Sequence, residues 1–175
     1  MSLEDSLIRL AVTGDREAQR LVYESLRYSI SRLVSRIVDL SDVDDVTQDI
    51  FLHLFSSLGS FRFESEFTTW VYRLAVNDAL QHLRRKRRRP QVPLEDLEMP
   101  GQIQQNRIEN NEILSLALSK LDPELRVVLH LKEEHEECYS RIAEILRIPE
   151  GTVGSRLNRA RRELRNELLA LGWGD

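Results

Sequence analysis

Ser140-Arg-Ile-Ala-Glu-Ile-Leu-Arg-Ile-Pro-Glu-Gly-Thr-Val-Gly-Ser-Arg-Leu-Asn-Arg-Ala-Arg-Arg162 is the stretch that decides the fold of this chain. Ser140 can cap a helix that holds Ile142, Ala143 and Leu146. Pro149-Glu150-Gly151 reads as a tight turn, and Thr152 opens a second helix. In that helix Val153, Leu157, Ala160, Leu164 and Leu168 recur at three- and four-residue spacing, so they face inward. Two helices joined by so short a turn form a helix-turn-helix, whose second helix enters a DNA major groove. With the apolar stripe inward, the roughly 100° step per residue turns Ser155, Asn158, Arg159 and Arg162 outward. Arginine pairs with guanine O6 and N7 through two bonds, and asparagine with adenine N6 and N7. Arg161 and Arg165 lie better for phosphates, which give affinity without reading sequence.

Helical periodicity continues upstream. A short helix over Leu3 to Val12 stops at Gly14, and Asp15 caps the next. That one carries Ala18, Leu21, Val22, Leu26, Ile30, Leu33, Val34 and Ile37 on one stripe. Ser41 can cap a third helix with Val43, Val46, Ile50, Leu54 and Leu58 inward. Asp42, Asp44 and Asp45 in its first turn complement the positive end of the helix dipole. After Gly59, residues 60–67 form an aromatic loop, and Thr68 or Thr69 begins a helix through Trp70, Leu74, Asn77 and Leu80. Pro90 breaks it, and residues 90–108 hold three of the five prolines beside a polar Gln-Ile-Gln-Gln-Asn run, the composition of a linker. Helix resumes from Ile108 to Lys120 and again from Glu124 to about Glu134. No period-two strand appears, so the predicted fold is all-α. It consists of two small helical domains, 1–89 and 113–175, joined by a flexible linker over 90–112.

The 175 residues carry a formal net charge of −4, which taken whole argues against a nucleic-acid partner. The distribution says otherwise. Residues 39–49 sum to −5, Arg84 to Arg89 is six consecutive positive charges, and Thr152 to Arg165 holds five Arg against one Glu. Screening confines attraction to about 8–10 Å, so such blocks act locally whatever the total. The opposite charges of 39–49 and 84–89 can attract one another, and the sequence leaves open whether the two domains pack together when free. No apolar stretch approaches the roughly 20 residues of a membrane span, and the N-terminus lacks a signal-peptide pattern. A lone Cys138 cannot staple the fold, which points to the reducing cytoplasm.

Three stretches carry a family resemblance: Asp-Val-Asp-Asp-Val-Thr-Gln-Asp-Ile-Phe-Leu (42–52), Phe-Thr-Thr-Trp-Val-Tyr-Arg-Leu-Ala-Val-Asn (67–77) and Pro-Glu-Gly-Thr-Val-Gly-Ser-Arg-Leu-Asn-Arg-Ala-Arg (149–161). In this order they resemble signatures of bacterial RNA polymerase sigma factors of the extracytoplasmic-function (ECF) type. The resemblance covers about 5–89, similar to sigma domain two, and 113–169, similar to sigma domain four. It implies a non-enzymatic factor that binds core RNA polymerase through its β′ and β subunits and directs promoter-specific initiation. No cofactor or metal is implied, and the partner set includes promoter DNA and an anti-sigma factor.

The resemblance also implies roles. Asp45, Gln48 and Asp49 match polar contact positions for a β′ coiled coil, with Phe51, Leu52 and Phe55 as apolar candidates. Loop 61–67 matches the segment that captures a flipped base of the melted −10 element. Stacking platforms beside a basic track are what single-strand capture needs. Phe61, Arg62, Phe63, Trp70, Arg73, Asn77, Arg84, Arg85 and Arg87 form that candidate set, while Phe67, and Trp70 with it, also read as packing residues. For the −35 duplex the candidates are Thr152, Ser155, Arg156, Asn158, Arg159 and Arg162. Gly154 stands where the family often has Lys or Arg, removing one DNA contact. An extended linker of residues 90–108 reaches at most about 63–68 Å, enough for elements about two helical turns apart. Its acidic Glu95, Asp96 and Glu98 suit a path through a basic channel.

Two other readings remain. One is a stand-alone helix-turn-helix regulator whose first half is an oligomerisation bundle; the other is a nuclease using the carboxylates of 42–49 to hold metal. No Gly-rich phosphate loop, nucleophile elbow or HExxH motif is present. His130, His135 and Cys138 supply three ligands without a fourth, a poor zinc set.

Overall fold

The computed structural model describes residues 5–88 and 108–173. Among them are eight α-helices and no strand. The first half comprises α1 (Asp5–Val12), α2 (Arg16–Ser35), α3 (Val43–Ser57) and α4 (Phe67–Arg88). The second comprises α5 (Ile108–Lys120), α6 (Pro123–Glu133), α7 (Tyr139–Leu146) and α8 (Glu150–Ala170). Residues 108–112 of the expected linker therefore belong to α5, while 90–107, including the acidic Glu95, Asp96 and Glu98, lie outside the described residues.

Gly14 ends α1 at φ 93°, a left-handed turn that a β-carbon would strain. Asp15 then caps α2, its carboxylate accepting the Ala18 amide at 2.7 Å. The α2 stripe of Val22, Leu26, Ile30 and Leu33 is buried against Ile50 and Leu54 of α3 and Val71, Ala75 and Ala79 of α4. In the second half Asp122 caps α6 by accepting the Glu124 amide, with Pro123 in the first turn where its missing N–H costs nothing. Leu125, Val128, Leu131, Ile142, Ile145, Val153, Leu157 and Ala160 are buried together there.

Two local readings are corrected. Ser41 does not cap α3: it lies in a 3₁₀ turn, Leu40–Asp42, and α3 begins at Val43. The Asp42 carboxylate makes no cap bond and instead receives Lys86 and His82. The turn of the helix-turn-helix also lies earlier than expected. Arg147 takes the left-handed conformation (φ 53°), the Ile148 amide bonds back to the Ala143 carbonyl, and α8 starts at Glu150, one residue after Pro149. Gly151 sits inside the helix.

The halves are packed on one another, α7 lying against α4. Arg126 donates to the Ile37 carbonyl at 3.2 Å, and Glu134 pairs with Arg32 (2.5 Å) and Arg36 (2.9 Å) of α2. Arg141 of α7 donates to Thr68 Oγ1 and pairs with Glu66, both at 2.6 Å. His135 stands edge-on to Tyr72 of α4, ring centroids 5.3 Å apart. The opposite charges of 39–49 and 84–89 meet within the first half. Lys86 meets Asp39 and Asp42, all in the first half, while Arg84 of the same basic run reaches across to within 3.9 Å of Glu124 in α6.

Candidate nucleic-acid and protein interfaces

On α3 the spacing of three and four brings Asp45, Gln48, Asp49 and Leu52 to one exposed face, with Leu52 62% accessible. Beside it runs an open cleft lined by Tyr23, Arg27 and Tyr28 of α2 together with Gln48, Phe51 and Phe55. Tyr28 is 73% accessible, a large exposed ring that the α2 pattern did not single out. Its signal was an aromatic on the outward side of an amphipathic helix. Phe51, expected as an apolar contact, is only 4% accessible. It packs edge-on to Tyr23 at 4.7 Å and near-parallel to Phe55 at 6.2 Å, so it floors the cleft. An acidic rim around an apolar strip fits a basic, amphipathic protein surface.

The aromatic loop sits at the start of α4. Phe61, expected as a stacking platform, is buried at 7% and packs with Phe63, Phe67 and Trp70 at centroid distances of 4.7 to 5.4 Å. Phe67 is buried too, and Trp70, half-exposed, lies near-parallel to it at 5.9 Å. The buried Phe61 and Phe67 rings thus support a platform whose accessible members are Phe63 and Trp70. Phe63 adopts φ 59°, unusual for a bulky side chain, and its ring lies under the Arg9 guanidinium at 4.3 Å. Arg9, from α1, was missed because nothing in sequence links α1 to this loop. Trp70, Arg73, Asn77 and Arg84 recur along α4 at helical spacing; Asn77, Arg84, Arg85 and Arg87 are exposed, as is Arg62 in the loop, and Arg73 is half-buried. Lys86 is withdrawn from the basic run, donating to Asp39 at 2.6 Å and Asp42 at 2.8 Å. Its ammonium, with His82 behind it, lowers the Asp42 carboxyl to about 2.

On α8, Val153, Leu157 and Ala160 are buried and Ser155, Asn158, Arg159 and Arg162 exposed. Thr152 and Arg156 are half-buried. Arg156 pairs with Glu124 at 3.0 Å, Arg159 with Glu163 at 2.7 Å, and Arg161 with Glu133 at 2.6 Å. The first and third pairs tie α8 to α6 and the second lies along α8; in each, a phosphate would have to displace the carboxylate.

His130, His135 and Cys138 do not converge as ligands. The imidazoles meet edge-to-face at 4.9 Å, while the exposed Cys138 thiol contacts Ser140 Oγ at 3.1 Å. Among the described residues no three His, Cys, Asp or Glu side chains are grouped to hold a metal. None of the described helices is long and apolar enough to cross a membrane.

Residues 20–89 match the family model of sigma-70 region 2, and residues 111–164 match that of sigma-70 region 4. The chain is 34% identical over 181 residues to the ECF RNA polymerase sigma-E factor of Escherichia coli strain K12, covering 94% of both. It is 33% identical over 184 residues to that of Haemophilus influenzae, covering 96% of both. Its fold is similar to that of CnrH solved in complex with the cytosolic domain of CnrY (TM-score 0.70, 24% identity, 94% of this chain and 96% of that one). It is also similar to the sigma factor RpoE of Bartonella quintana solved with the anti-sigma factor NepR (TM-score 0.68, 19% identity, 85% and 95%). Two sigma-70 region models matched in order, and relatives of 33–34% identity that cover nearly the whole chain, show that the chain belongs to the ECF family of RNA polymerase sigma factors.

Proposed function

We propose that this chain is a sigma factor that docks on core RNA polymerase through α3, captures the melted −10 strand with the Phe63–Trp70 platform and α4, and reads −35 duplex with α8. The observation that carries this reading is the first half itself. One small bundle presents an acidic–apolar face on α3 for a protein and an aromatic and basic face on α4 for a single strand. A regulator whose first half is an oligomerisation bundle could use the first of these but has no use for the second. The exposed Asp45, Gln48, Asp49 and Leu52 are the docking contacts, with Phe55, Tyr23 and Tyr28 lining the adjoining cleft. Arg62, Arg73, Asn77, Arg84, Arg85 and Arg87 track the strand, and Thr152, Ser155, Arg156, Asn158, Arg159 and Arg162 serve the duplex. Phe51 and Phe61 act by packing.

The chain supplies binding, and the bond-making chemistry belongs to the polymerase. It acts in the cytoplasm, where an anti-sigma factor holds it in reserve. The test is transcription by sigma-free core polymerase from candidate promoters, with and without the purified chain. Transcription that depends on the chain, and is lost in Asp45→Lys/Asp49→Lys without loss of helicity, supports the reading. Promoter-duplex binding without any core dependence would favour a regulator, and metal-dependent cleavage a nuclease.

A further inference from the structure

Phe63 takes a left-handed backbone, φ 59°, inside the aromatic loop. For a bulky residue that conformation is costly, and it persists only where surrounding contacts over-determine it. Two contacts do so here: the ring packs on Phe61 at 4.7 Å and lies under the Arg9 guanidinium at 4.3 Å. The position of Arg9 is itself fixed by the packing of α1. Ile8 and Ala11 are buried, and the Ala11 carbonyl accepts Gln19 Nε2 of α2 at 3.1 Å. α1 also packs on the 3₁₀ turn Leu58–Ser60, which leads into the loop. Among the described residues Arg9 has no carboxylate partner, whereas Lys86, Arg156, Arg159 and Arg161 each hold one. A guanidinium laid on a ring keeps its N–H edge open, and its planar fork matches the oxygens of a phosphate.

We propose that Arg9 binds the DNA backbone at the −10 element, placing its guanidinium, backed by Phe63, on a phosphate of the captured single strand. This rests on the −10 reading above and adds a contact from α1, which precedes the residues 20–89 matched by the region 2 model. Arg9 over Phe63 divides the platform. Trp70, which also packs on Phe61, at 5.4 Å, remains for a base, and Phe63 holds a cation beside it. Base stacking and phosphate neutralisation on adjoining groups are the two parts of single-strand capture. Exposed Arg62, next in the chain to Phe63, extends the same positive edge. The ring contact also sets Arg9 apart from an ordinary surface arginine. An unconstrained side chain loses rotamer freedom on binding phosphate, whereas stacking on Phe63 has already restricted this one.

The full-length chain assembled with core polymerase tests this. The probe is a fluorescein-labelled single-stranded DNA enriched from a random pool by the wild-type holoenzyme. Arg9→Gln removes the charge from an exposed position, and Arg9→Lys keeps it. Arg9→Gln should weaken probe binding about fivefold and lower the slope of log affinity against log salt by about 0.7, the share of one phosphate on a single strand. Arg9→Lys should keep the wild-type slope. In a Phe63→Ala background the guanidinium has lost its backing, so Arg9→Gln should then cost less than about twofold. Core affinity should be unchanged in both Arg9 variants. The proposal is overturned if Arg9→Gln binds like wild type, or if it loses affinity at an unaltered slope, which would make Arg9 a prop for the loop. It is equally overturned if Arg9→Lys loses the slope too, if the full effect of Arg9→Gln persists in Phe63→Ala, or if core affinity falls in step. A wild-type holoenzyme that enriches no single strand would instead defeat the −10 reading itself.

Discussion

Lys86 donates a hydrogen bond to the Asp42 carboxylate at 2.8 Å, tying the basic end of α4 to the start of α3. The most acidic and most basic segments of the sequence thus meet inside one half of the molecule. With Asp39 also held by Lys86, the acidic patch is divided: Asp39 and Asp42 serve the fold, leaving Asp44, Asp45 and Asp49 facing solvent.

Asp42 should titrate near pH 2 in the native chain, and return toward the ordinary value of about 3.9 in Lys86→Met. Because its native value is depressed, the pairing contributes stability above about pH 3.9 and loses it as pH falls toward 2. The groups are largely solvated, so the contribution is less than about 1 kcal/mol. Carboxyl chemical shifts followed by NMR in both proteins check this. An Asp42 curve indifferent to Lys86→Met would remove the pairing from the account.

His130 controls a wider window. It is 3% accessible, and burial drives its imidazole down to about 4, against the opposing pull of the Glu134 carboxylate 3.1 Å away. His135 is lowered as well, by burial between His130 and Tyr72. Arg36 of α2 faces the same pocket. A histidine with a depressed native value is neutral in the folded state and charges on unfolding. Its stabilisation is therefore complete above the ordinary value of about 6.5 and is lost as pH falls toward 4, up to about 3 kcal/mol. Denaturant titrations from pH 7.5 to 4.5 should show this loss in the wild type and a shallower one in His130→Leu. Parallel slopes in the two proteins would count against it.

How much of this was legible in the sequence depended on whether periodicity carries the information. The stripes of Val22, Leu26 and Ile30 and of Val153, Leu157 and Ala160 are buried as their spacing demands, because a helix turns its neighbours at three and four residues to one side. Aromatic residues resisted assignment. Phe51 and Phe61 lie beside exposed contacts yet serve the core, and a large ring suits either role until its neighbours are known. The seam was illegible for a deeper reason. Arg32 on the exposed side of α2, Arg36 just past its end and half-buried Arg141 of α7 carry no mark of their partners, and charge blocks identify attraction without saying which half supplies the opposite sign. Arg147 likewise ends α7 in a left-handed conformation where the sequence offered Gly151 as the turn residue.

On α8, exposed Asn158 and exposed Arg165 should separate sequence reading from simple attraction. Asn158→Ala should cost about 1–3 kcal/mol at the cognate −35 element, and far less at a scrambled one, because a two-bond contact to adenine is lost. Arg165→Ala should weaken binding to every duplex alike and reduce the salt slope by about one. Holoenzyme binding to cognate and scrambled duplexes over a range of salt measures both. Equal losses for Asn158→Ala on the two duplexes would move it to the phosphate class.

Gly154 offers the sharpest separation of stability from recognition. It lies inside α8 without a left-handed φ, so nothing in the backbone requires glycine there. A β-carbon would meet only Tyr139 Cε2, at 3.6 Å, an ordinary van der Waals contact. Gly154→Ala should therefore stabilise the chain by about 0.5–1 kcal/mol, the difference in helix propensity together with the reduced freedom of the unfolded chain. Recognition should be unaffected, since a methyl against the Tyr139 ring reaches no outward position of α8. Gly154→Arg keeps that β-carbon contact and adds a cation at the entry to the helix. It should gain affinity for duplex DNA irrespective of sequence, with a steeper salt dependence. Thermal melts and duplex titrations of the two variants distinguish these effects. A destabilised Gly154→Ala would mean that the close approach of α7 to α8 at Tyr139, and not DNA recognition, is what keeps residue 154 small.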